Sequence, residues 1–398
     1  MRGWQARALH RRAKRSTMGQ FLRYDPPMPL SHDKRAEAAR RKRIEASPRY
    51  ADGVFCNTAS VGPGLQPGTT LPTMLEYFRS GTRRVPRAPL PALDPRPSWA
   101  RAPETGLRAT WLGHSTLLLE IDGTRVVTDP VWSTRASPVG RVGPRRFQPV
   151  PVALEALPPV DAAVISHDHY DHLDRAAVVA LALRGVPLVT SLGVGAHLQR
   201  WGVPGEMIKE LDWWDSHTVG RGLTITAAPS QHFSGRGLTD RNRTLWSSMA
   251  FAGSRHKVFF SGDTGLTPEY AEIAARLGPF DLVMLEVGAF HPAWGHIHLG
   301  PDNALEALRL LGGGAFLPVH WGTFNLALHD WDAPAERLVE VAPSGGVQLV
   351  MPRLGDPVEP GRVEAVDPWW RAISALETLE PGRSAVPLVA EQPGEPID

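Results

Sequence analysis

Ser166-His167-Asp168-His169-Tyr170-Asp171-His172 places four candidate metal ligands, His167, His169, Asp171 and His172, within six positions. The apolar run Ala162–Ile165 ends directly before the motif, so these residues occupy the loop leaving a buried strand. Side chains alternate along a strand and could not all face one point there, whereas a tight loop can turn them together. Neutral imidazoles and carboxylates suit zinc and related divalent ions. The competing reading is a surface loop that is merely rich in histidine.

Working outward, three further candidates each follow an apolar strand. His232 stands in Pro229-Ser230-Gln231-His232 after Leu223–Ala228, Asp263 in Gly262-Asp263-Thr264-Gly265 after Val258–Ser261, and His320 in His320-Trp321-Gly322-Thr323 after Ala315–Val319. Taken singly, a loop histidine is more often a hydrogen-bonding residue, and an aspartate before Thr-Gly more often forms a turn. Together, in this order, they point to one metal cluster. The only cysteine, Cys56, excludes an intrachain disulfide and a cysteine-rich zinc site.

His-x-His-x-Asp-His with a later His, Asp and His resembles the metallo-β-lactamase superfamily, whose fold is a four-layer αβ/βα sandwich of the α/β class. The resemblance implies that His167, His169 and His232 hold one metal ion, that Asp171, His172 and His320 hold the other, and that Asp263 bridges both. Redox diiron members typically carry glutamate at the position of His169, so hydrolysis is favoured. Trp111-Leu112-Gly113-His114-Ser115-Thr116, Thr128-Asp129-Pro130, Gly143-Pro144-Arg145-Arg146, Leu211-Asp212-Trp213-Trp214, Gly278-Pro279-Phe280-Asp281 and His320–Phe324 are similar to the N-acyl-phosphatidylethanolamine phospholipase D branch. Bacterial sugar-phosphate lactonases share parts of this pattern.

Two divalent ions, zinc by preference with manganese or iron as alternatives, would share a water and lower its pKa towards about 7, giving a bridging hydroxide. Asp171 would orient that nucleophile. His298, in Gly295-His296-Ile297-His298, is the candidate for leaving-group protonation or phosphate binding, with a surface hydrogen-bonding role as the alternative. His114 and Asp129 are expected to brace the ligands from behind. Arg145 and Arg146 form a candidate phosphate clamp. The expected activity is a phosphodiesterase acting on N-acyl-phosphatidylethanolamine-like phospholipids; the alternative is a lactonase or ester hydrolase acting on a small anionic metabolite. Trp213, Trp214, Phe233, Trp246, Phe290, Trp294 and Phe324 flank the motifs, either as an apolar groove or as core.

Net charge is +2 over 398 residues, but residues 1–49 carry 14 Lys/Arg against 4 Asp/Glu and the remainder 29 against 37. A mildly acidic body argues against extended nucleic-acid binding, which needs many basic phosphate contacts. No apolar run approaches the roughly 20 residues of a membrane span. A cytoplasmic protein is expected, with peripheral membrane contact and oligomeric state left open.

Four regions are expected: a basic, disordered segment over 1–50, an extended wrapping segment over 51–106, the hydrolase domain over 107–354, and a loose proline-rich tail over 355–398. The first 20 residues lack the apolar stretch of a secretory signal, and Met18 is an alternative start. Ser31–Arg43 reads as a basic helix, either a lipid contact or a solvated face. Strands are predicted at Ala109–Leu112, Thr116–Ile121, Arg125–Thr128, Ala162–Ser166, Leu223–Ala228, Ser247–Phe251, Val258–Ser261, Leu282–Leu285 and Ala315–Val319. Helices are predicted at Arg175–Leu183, Pro268–Leu277, Asn303–Leu311 and Ala333–Val341.

Overall fold

The computed structural model describes residues 34–379 except 60, 62–65, 67 and 80–82. Helix α1 (Lys34–Ala46) and the hairpin β1 (Tyr50–Ala51)–β2 (Val54–Phe55) precede α2 (Thr70–Arg79) and α3 (Arg96–Trp99). Strands β3 (Leu107–Gly113), β4 (Thr116–Ile121), β5 (Thr124–Thr128), β6 (Ala162–Ile165), β7 (Leu188–Ser191) and β8 (Ile208–Leu211) lie side by side in chain order. A second sheet holds β9 (Ser216–Val219), β10 (Leu223–Ala228), β11 (Ser248–Ala252), β12 (Lys257–Phe260), β13 (Leu282–Glu286) and β14 (Ala315–Val319), again in chain order. Finally β15 (Pro357–Val358) pairs with β3 and extends the first sheet to seven strands.

Each sheet begins with antiparallel hairpins and ends with parallel crossovers. The turn between β4 and β5 is Asp122-Gly123, and both residues have positive φ (50° and 85°), as a tight hairpin turn requires. The parallel pairs need long connections, and those connections carry the helices. Helices α4 (Arg175–Leu183) and α5 (Gly195–Arg200) cover the first sheet; α6 (Glu269–Leu277), α7 (Gly300–Leu310) and α8 (Ala333–Val341) cover the second, and α9 (Trp370–Leu379) follows. The result is the four-layer αβ/βα sandwich of the α/β class.

The period-two alternation of strands shows directly in the cores. Leu117, Leu119, Ala162 and Val164 face the second sheet, in one apolar cluster with Ile225, Phe251, Phe260 and Met284. Their neighbours Leu118, Ala163 and Ile165 face the other way, against Ala177, Val178 and Leu181 of α4. Strands buried on both faces read as continuous apolar runs, which is why Ala162–Ile165 and Ala315–Val319 were conspicuous in the sequence.

Several expectations need correction. The basic segment is not wholly without structure: from Lys34 it forms α1, and its arginines are used against the body. Arg40 Nε lies 2.6 Å from Glu210 Oε2, with both side chains nearly buried, and Arg43 reaches Asp215 at 2.9 Å and the Glu210 carbonyl at 3.0 Å. The expected leader, with Met18, lies outside the described residues. Within the wrapping segment, Thr70–Arg79 is helical, with Pro72 tolerated in its first turn. The tail is not loose from Gly355: β15 pairs with β3, and Trp369 and Trp370 are buried, each ring 5.7 Å from Trp321. Strands β7, β8 and β9 were missed because each has only four residues and charged or polar groups interrupt two of them.

No helix among the described residues is long and apolar enough to cross a membrane.

Candidate metal centre

Loops leaving β6, β10, β12 and β14 bring all seven candidate ligands together. The loop after β6 is held between the sheets: the Ser166 carbonyl accepts hydrogen bonds from Ser191 Oγ (2.6 Å) and the Ser247 amide (3.1 Å). Gly262 lies so close that a Cβ there would sit 2.6 Å from Ser166 Cβ, and its φ of +55° adds a second reason for glycine. A helical turn then places His172 and Leu173 amides on the His169 carbonyl at 3.1 and 2.8 Å. Asp174 ends the loop as the N-cap of α4, accepting from the Ala176, Trp132 and Ser133 amides. Asp168 turns away from its neighbours, accepting from the Gly235 amide (2.8 Å) and pairing with His197 (3.2 Å).

One group consists of His167, His169, His232 and Asp263. His169 Nδ1 lies 2.8 Å from His167 Nε2 and 3.3 Å from His232 Nε2, while Asp263 Oδ2 lies 3.9 and 3.6 Å from those two nitrogens. A second group is made by Asp171, His172 and His320, joined by His114. Asp171 Oδ2 lies 3.4 Å from His172 Nε2 and 3.3 Å from His320 Nε2. Asp263 stands between the groups: its Oδ1 is 3.1 Å from His172 Nε2 and its Oδ2 3.2 Å from His320 Nε2. Four donors about 2.0–2.1 Å from a tetrahedral ion are separated by about 3.3 Å, close to these spacings.

The imidazoles are oriented from behind. His172 Nδ1 donates to Asp129 Oδ2 (2.7 Å), and His232 Nδ1 donates to the Ile297 carbonyl (2.9 Å). His167 Nδ1 donates to Ser166 Oγ (2.9 Å), which donates onward to Asp129 Oδ2 (2.7 Å). With their protons committed there, the Nε2 atoms of His167 and His232 present lone pairs to the cluster, and that of His172 would do so once a cation displaces its second proton. Among the described residues, the buried atoms His172 Nε2, Asp263 Oδ1 and His320 Nε2 have no hydrogen-bond partner. Such a convergence of lone pairs and carboxylates fits a cation and fits little else.

Electrostatics agree. Burial holds His167 and His232 well below the usual imidazole range, in the neutral form that ligates. Burial alone would raise the carboxyls of Asp171 and Asp263, yet the surrounding histidines hold both well below the carboxylate range. Burial also opposes charge on His320, but Asp263 and Asp171 outweigh it and push the group up to about 10. Protons on His172 and His320 thus stand where cationic charge is wanted, and a divalent ion would displace them.

Asp129 accepts three hydrogen bonds that together orient candidate ligands in both groups. Asp129→Asn loses one acceptor charge at this junction, and each bound ion should be held about 10–100-fold more weakly. Titration of the metal-stripped variant with zinc against a chelator would measure this; unchanged affinity for both ions would remove Asp129 from the account. His114 Nε2 lies 2.9 Å from Asp171 Oδ2.

His298 converges with Asp263 and His320 in a third close group, with its ring 5.1 Å from His232 and 5.6 Å from His320. Its Nδ1 is held by both oxygens of Glu286 at 3.0 and 3.1 Å. Burial lowers the His298 pKa, but the fully buried Glu286 carboxylate more than compensates and leaves it raised. Sequence reasoning missed Glu286, although it follows the apolar strand Leu282–Leu285 just as Asp263 and His320 follow theirs. It also missed Asn57, which grips the His232 backbone at both N–H (3.0 Å) and C=O (2.8 Å).

The expected arginine clamp is not formed as a pair. Arg145 is exposed, while Arg146 is buried, donates to the Val131 carbonyl at 2.6 Å and lies over Phe324. Of the aromatic residues, Phe233 touches His169 and His232, Phe324 touches His114 and Trp294 approaches His298. Trp246 is core, with its Nε1 bonded to Asn57 and the Ser230 carbonyl.

A two-sheet sandwich with this histidine and aspartate cluster at the strand ends defines a metallohydrolase class, and sequence comparison agrees. Residues 124–321 match the model described as a beta-lactamase superfamily domain. The chain belongs to the metallo-β-lactamase superfamily and is a metal-dependent hydrolase. It is 39% identical over 251 residues to N-acyl-phosphatidylethanolamine-hydrolyzing phospholipase D 1 of Caenorhabditis elegans, covering 60% of this chain and 70% of that protein. An uncharacterized protein of Mycobacterium tuberculosis is 46% identical over 351 residues, covering 84% of this chain and 91% of that one. A solved structure of a possible metal-dependent hydrolase from Veillonella parvula, 17% identical, superposes with a TM-score of 0.51 over 63% of this chain and 98% of that one, a likeness of fold.

Proposed function

We propose that the chain is a dinuclear phosphodiesterase of phospholipase D type, acting on N-acyl-phosphatidylethanolamine-like phospholipids. The observation that carries the dinuclear reading is Asp263, whose two oxygens face His172 and His320 on one side and whose Oδ2 also faces His167 and His232 on the other. The substrate class rests on the nematode relative.

His167, His169 and His232 would hold one ion, Asp171, His172 and His320 the other, and Asp263 both. Two divalent ions, zinc by ligand preference, would when bound supply Lewis acidity that acidifies water and neutralises charge on phosphate oxygens. Asp171, fixed by His114, orients the attacking water and accepts its proton. The water oxygen bonds to phosphorus as the phosphorus–oxygen bond to the alcohol breaks. His298, whose Nδ1 is committed to Glu286, delivers the proton on its Nε2 to the departing alcohol oxygen. Phosphatidate and the N-acylethanolamine are the products. Phe233, Trp294 and Phe324 offer apolar surface beside the reacting centre.

The test is metal content by elemental analysis, paired with hydrolysis of bis(p-nitrophenyl) phosphate, vesicles containing N-acyl-phosphatidylethanolamine, and a panel of lactones. About two ions per chain and release of phosphatidate are expected. Two ions with lactone turnover and no phosphodiester cleavage would replace this reading with the lactonase.

A further inference from the structure

His320 turns Nε2 towards Asp171 and Asp263, so its Nδ1 faces the opposite side. Glu286 Oε2 lies 3.8 Å from it, too far for a hydrogen bond. Behind His320 lies a small cavity of about 20 Å³, lined among others by Gly288, Phe324, His329, Trp331 and His320 itself. Three buried nitrogens on these residues, His320 Nδ1, His329 Nε2 and Trp331 Nε1, have no hydrogen-bond partner among the described residues.

Their proton states are complementary. With Nε2 given to the ligand cluster, His320 carries its proton on Nδ1 and donates. His329 Nδ1 donates to the Asp330 carbonyl at 2.7 Å, which leaves Nε2 as an acceptor. Trp331 Nε1 can only donate. These three nitrogens supply two donors and one acceptor to a space that Arg84 and Asn325 also line, large enough for one water, which needs about 10–15 Å³ and two to four polar partners.

The walls are held in place. Gly288 packs so tightly on the His320 backbone that a Cβ would lie 2.0 Å from its carbonyl oxygen, and His320 itself has a φ of 64°. His329 stacks on Phe290 with ring centroids 4.6 Å apart, and the Trp331 amide donates to the Arg83 carbonyl at 3.0 Å. The backbone of His320 is therefore fixed, while its ring has no hydrogen-bond partner at Nδ1 among the described residues.

We propose that this cavity is a water site completing the outer support of His320, and that His329 and Trp331 are positioning residues acting through it. The inference rests on the reading of His320 as a metal ligand. Metal-binding histidines are usually tied at their second nitrogen, and loss of that tie typically weakens metal binding about 10–100-fold.

Metal-stripped wild type, Trp331→Phe, His329→Leu and His329→Gln would be titrated with zinc against a competing chelator, and with cobalt while the visible spectrum is recorded. Trp331→Phe removes the donor together with part of the ring volume, so the fold of each variant is checked by circular dichroism. Trp331→Phe and His329→Leu should each weaken one ion by about 10–100-fold and alter its cobalt spectrum, leaving the other ion as in wild type. His329→Gln, which keeps an acceptor, should stay near wild type. The Trp331→Phe/His329→Leu double variant should be little worse than the poorer single one, because both act through one water. A crystal structure of the loaded protein should show that water about 3 Å from all three nitrogens. Wild-type affinity for both ions in both variants, or a side chain filling the cavity, overturns the inference alone. A wild type that takes up no second ion overturns the dinuclear reading and the inference with it.

Discussion

Asp263→Ala should cost the protein both metal ions and lower hydrolysis on the order of 10³-fold or more. The reason is geometric: a single carboxylate lies within 3.9 Å of four imidazole nitrogens divided between the two groups. Its loss removes the bridge and also the negative charge that opposes repulsion between two divalent ions. Wild type should gain about 2.7 kcal/mol of stability from each site at a metal concentration 100 times the dissociation constant. Asp263→Ala should lose nearly all of that gain, and its metal-free form should also melt somewhat lower, because His172 and His320 lose a buried carboxylate partner. Elemental analysis and thermal melts with and without zinc measure both effects. A variant that still carries two ions per chain would sink the bridging role.

The second large effect concerns His298 and depends on the leaving group. His298→Asn should slow cleavage of esters with alkyl alcohol leaving groups by about 10²–10⁴-fold, the usual worth of general acid catalysis. With bis(p-nitrophenyl) phosphate, whose leaving group departs as a stable anion, the loss should be less than about tenfold. A structural defect would depress both substrates equally, so equal losses would refute the proton-donor role. Glu286→Gln supplies the pH test. Glu286 raises the His298 pKa against the effect of burial, so a wild-type acid stays protonated further into the alkaline range. Without the carboxylate the folded-state pKa falls, and the alkaline limb of kcat/KM should move to lower pH. An unmoved limb would mean that another group titrates there.

How legible the site was in the sequence depended on burial pattern. His167, His169, Asp171 and His172 were visible because polar residues crowd directly behind an apolar run. His232, Asp263 and His320 stood out for the same reason, since a strand buried on both faces cannot carry such groups and must deliver them at its end. Glu286 obeyed the identical pattern and was passed over, because a glutamate closing a strand has no motif around it. Asn57 carried no signal at all. Its role depends on a contact 175 positions away, which residue spacing cannot encode. The arginine pair failed for a related reason. Adjacent residues in an irregular loop need not face the same way, and Arg146 found backbone carbonyls and Phe324 before any substrate.

The outer regions show the complementary limit. Composition suggested that residues beyond Gly355 and before Leu107 were extended or loose, since proline and arginine dominate there. Yet Trp369 and Trp370 bury themselves against Trp321, and α1 docks through Arg40 and Arg43. Each of those segments acquires its structure from surface that the sandwich presents, and that surface exists only once the sandwich has formed.

By itself, the sequence determined the sandwich, the strand ends and the candidate ligands gathered there, because apolar periodicity and local turn chemistry are properties of neighbouring residues. The tertiary structure alone decided that Asp263 lies between two groups, that Asp129 orients both, that Glu286 holds His298, and that a cavity lies behind His320. Those relations join residues from separate strands, and only the packing of two sheets against each other sets the distances between them.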